Sequence, residues 1–384
     1  MFKFKPVMTF KTAILFVVIA FGHFDASSGL VDSTLACHRL LVGKPQFKHK
    51  HQNQKVKGKV VGLKWNGDET RDQCDTETCF MHAVSHYLDL HPIWKVSQTQ
   101  TRYSVEFFLA LYGMEKAEDD IWYGPTSRQS PNLTQFPLLT LLTLVATKGY
   151  LLESDWTPPK MVSDMAGNGR ISELSNFVNI RHEQLETVEK KFGSRSDKVT
   201  QVWQKIKSDL QIELKKIYGR DLTGKRDLLE KIKEAGQNAY RYIHYGRFAM
   251  VFPAGEEITD RLKFLAKKSG LSVYYDEEGR SVILNIISKY IEADRPVLAS
   301  LKWGLDKERV ETANHAVVIT GLLKNDQGQL THIRILNSWG SQWGDKGGVW
   351  FNTDDFFEAL IGIEVLARSQ YENGGVYIHG TKEK

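Results

Sequence analysis

The strongest constraint on the fold of this chain is a change of period along it. Before about residue 295 apolar residues recur at helical steps, and after it they fall into short runs that read as strands. The late runs are "PVLASLKW", "HAVVITGLL", "HIRILNSW" and "GGVWFNT", and "KNDQGQ" (324–329) separates the middle two as a hairpin loop does. Earlier, Ala83, Tyr87 and Leu90 follow Cys79 at helical spacing. "YSVEFFLALYGMEKA" (103–117) and "FPLLTLLTLVATKGY" (136–150) predict two further helices, the second closed by Gly149. Residues 170–245 are rich in Lys and Glu, with Val202, Ile206, Leu210, Leu214 and Ile217 on one helical stripe. Such a stripe predicts helices packed on a core with a charged outer face. The plan is α+β: a helical front half, a charged helical middle and a C-terminal sheet, with no internal repeat.

Composition bounds the partners. The chain has 384 residues, 41% hydrophobic and 25% charged, the values of a globular protein with ample core material. Its net charge of +5 is small and scattered, which argues against nucleic acid as a partner. Lys3, Lys5 and Lys11 precede the apolar run "AILFVVIAF" (13–21), and "DASSG" follows with small residues. This reads as a signal peptide over 1–28, with an uncleaved anchor as the alternative. The protein is therefore expected to be exported, with no stable membrane span once the signal is removed. Residues 29–59 read as a basic linker, His49 and His51 included. An odd number of cysteines, three, predicts one functional thiol and a bridge such as Cys37–Cys74. "NLT" (132–134) is a glycan acceptor only in a eukaryotic secretory route.

Three distant segments carry chemistry. A cysteine at a helix N-terminus has its thiolate stabilised by unpaired backbone N–H groups and the helix dipole, and Cys79 opens a helical pattern. A cysteine nucleophile also needs a histidine within hydrogen-bond reach and a third group to orient the imidazole. "NHAVVITG" (314–321) puts His315 at the start of a strand, and "ILNSWGSQWGDKGG" (335–348) puts Asn337 at the end of another. Adjacent antiparallel strands bring those two side chains together.

Cys79, "NHAVVITG" and "NSWGSQWGDKGG", in that order, resemble the papain superfamily of cysteine peptidases. The resemblance implies a two-lobed papain-like fold over about 60–370, a helical lobe plus a β-barrel-like sheet lobe, with 170–245 as a charged helical insertion and 371–384 as a tail. It implies a Cys79–His315–Asn337 triad, and Gln73, six residues before the nucleophile, as an oxyanion-hole donor beside the Cys79 backbone N–H. It further implies that Trp339 covers the His315–Asn337 bond, that the substrate is a peptide or protein, and that no cofactor or metal is needed. The chain departs from the family where "TETCFMHA" replaces "CGSCWAF", so Thr76 stands for a disulfide cysteine and Phe80 for a tryptophan. The interval from Cys79 to His315 also exceeds the roughly 130–150 residues usual in papain-like enzymes. "YSVEFF" and the helical surplus resemble the bleomycin hydrolase branch, and "GYLLESDW" (149–156) resembles a segment both branches share. No long inhibitory propeptide is visible between the signal and Gln73.

Three other readings compete. Cys79, His82 and His86 fall at i, i+3 and i+7 on one helix face, as zinc ligands can, but no further ligand pair accompanies them. A non-catalytic papain-like binding protein typically lacks the nucleophile or the histidine, and both are present. An acyl transferase or amidase uses the same acyl-enzyme and is the closest alternative to hydrolysis of peptide bonds.

Overall fold

The computed structural model describes residues 58–63, 70–73, 79–94, 102–124, 137–156, 169–234, 240–245, 271–274, 276–302 and 315–366. The signal segment, most of the linker, Cys37, Cys74, Asn132 and the C-terminal tail lie outside them.

Within the described residues the front half is helical: α1 (Cys79–Leu90), α2 (Val105–Tyr123) and α3 (Pro137–Lys148). Ser104 caps α2, its side chain accepting from the Phe107 N–H at 3.2 Å, so the helix starts two residues into the sequence-predicted segment. It also runs on to Tyr123, since Met114, Ala117 and Ile121 continue the buried stripe. At the end of α3, Gly149 takes φ +85°, and a Cβ there would stand 2.5 Å from the Lys225 carbonyl oxygen. Only glycine fits that close crossing.

The charged middle is a helical hairpin, α4 (Gly169–Phe192) and α5 (Asp197–Tyr218), followed by the short α6 (Leu229–Glu234). On α5 the stripe Ile206, Leu210, Leu214 and Ile217 is buried, with Val202 partly so, and it joins the same core as α1–α3. An Arg181–Asp209 ion pair at 2.9 Å and an edge-to-face Trp122–Trp203 contact at 5.0 Å tie the hairpin to itself and to α2. The sequence reading extends this helical stretch to 245. The chain instead becomes a strand at β2 (Tyr240–Tyr245), where "YRYIHY" offers aromatic and β-branched residues and a sheet edge to join.

The other strands are β1 (Lys59–Gly62), β3 (Leu271–Tyr274), β4 (Val297–Leu301), β5 (His315–Lys324), β6 (Leu330–Leu336), β7 (Gly348–Asn352) and β8 (Leu360–Leu366). Helices α7 (Asp276–Glu292) and α8 (Thr353–Ala359) accompany them. The sheet order is β3-β2-β8-β4-β5-β6-β7, with β1 pairing onto β5. All of these pairs are antiparallel except β2 with β3. The β5–β6 loop is the expected hairpin, closed by Asn325, whose side-chain oxygen accepts from the Gln327 and Gln329 N–H groups.

Every residue of β4 is buried, because both faces of the sheet are covered. Leu298, Ala316, Val318, Leu336 and Leu366 face the helical core. Val297, Ala299, Val317 and Ile319 point the other way, into a second core with Ile283, Ile286, Ile287 and Ile291 of α7. This is an α+β, two-lobed arrangement. Polar contacts join the lobes, among them two at β8: the Tyr87 hydroxyl of α1 accepts from the Leu366 N–H, and the buried Glu364 carboxylate accepts from the Leu138 N–H at 3.1 Å. The second places a negative charge at the N-terminus of α3, where the helix dipole favours it.

Candidate active site

Cys79 is the first residue of α1, a partly exposed thiol at the helix N-terminus, as its place in the pattern predicts. Helix α1 packs against β4 and β5, so the strand that begins with His315 lies on the helix that begins with Cys79. Register brings the next pair together. Val318 stands opposite Leu336 in the β5–β6 ladder, which sets His315 beside the residue following β6. There His315 Nε2 meets Asn337 Oδ1 at 2.8 Å, both residues buried.

The roles of the atoms in this pair follow from a third. The Ser338 backbone N–H donates to Asn337 Oδ1 at 2.7 Å. A backbone N–H can only donate, so this contact fixes which end of the Asn337 amide is oxygen. His315 Nε2 must then carry the proton it shares with Oδ1, which leaves Nδ1 as the basic nitrogen of a neutral ring. Burial pushes the His315 pKa down to about 4, against a smaller opposing effect of the Asn337 bond. Neutral imidazole is thus the resting form near neutrality, ready to accept a proton. Trp339 lies over the ring with centroids 5.2 Å apart, itself 7% exposed, and Trp343 stands edge-on to it at 5.4 Å.

Gln73 enters from a separate segment. Residues 71–73 run along the chain that follows Asn337: the Gln73 N–H donates to the Ser338 carbonyl at 2.8 Å, Asp72 bridges to Trp339, and the Gly340 N–H donates to the Arg71 carbonyl at 3.0 Å. Gly340, at φ +79°, admits this approach, since a Cβ there would stand 2.9 Å from an Asp72 carboxylate oxygen. The Ser338 hydroxyl also donates to Gln73 Oε1. With its oxygen held, the Gln73 amide directs its N–H₂ end away from Ser338.

The four sequence-predicted residues therefore sit on four pieces of chain: the 71–73 segment, the start of α1, the start of β5 and the residue after β6. His82 and His86, which share the Cys79 face of α1, do other work: His86 Nε2 accepts from the Arg71 backbone N–H at 3.0 Å, and burial holds both rings neutral, His82 pushed down to about 3. Sequence reasoning missed Ser338 and Arg71. Ser338 lies inside "NSWG" but carries no role there, and Arg71 looks like one more charge in a polar loop.

Residues 305–371 match the sequence model of the Peptidase C1-like family, a segment that holds His315 and Asn337, with Gln73 and Cys79 upstream of it. No curated protein matches the chain at the sequence level. Among solved structures, PepW from Lactobacillus rhamnosis is similar at a TM-score of 0.58 and 14% identity, covering 88% of this chain and 89% of its own. Xylellain, a cysteine protease from Xylella fastidiosa, aligns at a TM-score of 0.35 and 13% identity over 82% of this chain and 89% of its own. A form of SERA5 from Plasmodium falciparum aligns at 0.36 and 14% over 78% of this chain and 89% of its own. The segment around His315 and Asn337 is thus similar to the Peptidase C1-like family, and the two-lobed fold that carries it is similar to that of PepW.

Proposed function

We propose that the protein is a cysteine peptidase that hydrolyses peptide bonds through a thioester on Cys79. The observation that carries this reading is the buried 2.8 Å bond from His315 Nε2 to Asn337 Oδ1, with the amide orientation fixed by Ser338. It makes His315 Nδ1 a directed base on a strand packed against the nucleophile's helix. In the proposed reaction Cys79 Sγ attacks the peptide carbonyl carbon and its proton passes to His315 Nδ1. The oxyanion accepts hydrogen bonds from the Gln73 side-chain amide and the Cys79 backbone N–H. The tetrahedral intermediate collapses, the C–N bond breaks, and the amine leaves with the proton from Nδ1. Water, giving a proton to Nδ1, then attacks the thioester carbonyl and returns Cys79 as the thiol.

Burial lowers the His315 pKa to about 4, so its ring is neutral and open to a proton in mildly acidic solution. The substrate is a peptide or protein, and the chain acts after export through the signal segment at 1–28. No helix among the described residues is long and apolar enough to cross a membrane. The test is cleavage of a mixed peptide library by the purified protein and by Cys79→Ala. New termini with the natural protein and none with Cys79→Ala are expected. Transfer of the acyl group to added amines in place of free acid products overturns hydrolysis in favour of acyl transfer, and an intact library with no transfer product overturns catalysis.

A further inference from the structure

The two donors of the oxyanion hole come from different pieces of chain, Gln73 from a strand-like segment and Cys79 from the start of α1. Their separation must be held to a fraction of an ångström for both to reach one oxygen. We propose that Arg71 is the residue that holds it, a positioning residue for Gln73; this inference rests on the peptidase reading above.

Arg71 is a buried cation, its side chain 4% exposed. One terminal nitrogen bonds Asp89 in the last turn of α1 at 2.6 Å and the Tyr103 carbonyl oxygen at 2.8 Å. The other meets Glu153, whose second oxygen lies 3.4 Å from Arg102. The Arg71 main chain adds the donation to His86 on α1 and the acceptance from Gly340 beyond Asn337. One residue thus grips the nucleophile's helix at two points, the loop that follows Asn337 at one, and the 150–156 segment at one. Gln73 follows two residues later; its own groups are held by Ser338, and Arg71 sets where that short segment stands relative to α1. Because α1 is a rigid rod rising about 1.5 Å per residue, fixing its far turns fixes Cys79 at its near end.

Energetics point the same way. Burying an arginine with its carboxylates gains little stability over apolar residues of the same volume, and such groups serve best where they specify one geometry. The forked guanidinium reaches three separate oxygens from its two terminal nitrogens, a fixed geometry that a lysine's single ammonium does not reproduce. The segment 149–156, singled out in the sequence without a role, gains one here: it presents Glu153 to Arg71.

The experiment is a double-mutant cycle between Arg71→Lys and Gln73→Ala in the full-length protein. Rates are expressed per active site titrated with iodoacetamide, whose attack by Cys79 needs no oxyanion hole. Arg71→Lys alone is expected to lower kcat about 30-fold with KM and the alkylation rate of Cys79 changed less than about twofold. In the Gln73→Ala background the same substitution should cost less than about threefold, because the donor it positions is gone. Equal losses in both backgrounds, or fewer titratable sites with kcat per site unchanged, overturn the proposal and leave Arg71 a merely stabilising residue. Should Arg71→Lys not fold, Asp89→Asn removes the charge of its partner while keeping the shape, and the same cycle and the same two outcomes apply. A natural protein that alkylates at Cys79 but cleaves no peptide defeats the peptidase reading itself, and this inference with it; an active natural protein with an additive cycle defeats this inference alone.

Discussion

The two lobes bury very different material. The sheet, on the side of α7, is filled by Val, Ile, Leu, Ala and Phe of β4–β8, and β5 is buried along nearly its whole length. Beneath Cys79 the helical lobe buries Arg71, Ser85, His86, His91 and Glu115 along with its apolar residues. One lobe is a dry scaffold that delivers His315 and Asn337 at fixed register. The other is a polar clamp that must find partners for each buried group, and those partners lie far apart in sequence. The lesson is that the strand bearing His315 is placed by packing and the segment bearing Gln73 by hydrogen bonds.

The largest test removes the chemistry from each lobe in turn. Cys79→Ala and His315→Ala should each lower turnover by a factor on the order of 10⁴ or more, because nucleophile and base act as a unit. Steady-state kinetics on a cleaved peptide checks this, and retained activity in either variant breaks the assignment of one group to each lobe. Truncation in the two cores comes next. Phe107→Ala in the helical lobe should cost about 3–5 kcal/mol and Ile333→Ala in the sheet about 2–5 kcal/mol, both side chains being fully buried. Urea unfolding measures both. If the two midpoints fall while the His315-dependent activity per folded molecule survives only in the Phe107 variant, the sheet is confirmed as the scaffold of the base.

Gln73→Ala sharpens the polar side of the comparison. About 100-fold should be lost from kcat, close to 2.7 kcal/mol, with little change in KM, since the amide binds the oxyanion and not the ground state. A rise in KM with kcat intact would place Gln73 in substrate binding instead.

The smallest effect per step is in pH. Burial lowers the pKa of His82 and His91 to about 3 and of His315 to about 4, and holds His86 well below 6.5. Each ring is neutral when folded, so the unfolded chain binds more protons below 6.5. Stability from these groups is complete above 6.5 and falls with pH toward 4 and below, by at most about 1.4 kcal/mol per pH unit per histidine. Denaturant midpoints measured from pH 7.5 to 4.5 should therefore decline on the acid side, with three of the four contributions from the helical lobe. Turnover should persist in mildly acidic solution and fail as His315 is protonated near pH 4. A flat stability profile across that range contradicts the buried neutral rings.

Much of the site is legible in the order of residues alone. Cys79 stands out because a helical pattern begins with it, and His315 and Asn337 because each bounds a short apolar run and the loop between those runs is brief. Such signals are local, and local chemistry decides them. His82 and His86 mislead by the same token: their spacing on one helix face suits a metal as well as it suits a packed interior. Only the arrival of Arg71, whose N–H gives His86 its partner, assigns that face. The strand at Tyr240–Tyr245 escapes for a related reason, since its pairing partner β8 lies at the far end of the chain.

By itself, then, the sequence determined the period of each segment, the helix that starts at Cys79, the β5–β6 hairpin and hence the meeting of His315 with Asn337, because propensity, alternation and turn chemistry act within a few residues. Tertiary structure alone decided which end of the Asn337 amide faces His315, how Gln73 is held by Ser338, and why a buried arginine stands two residues before Gln73. These depend on hydrogen bonds between groups distant in sequence, and the cost of leaving a buried donor or acceptor unmatched is realised only when the chain has closed around it.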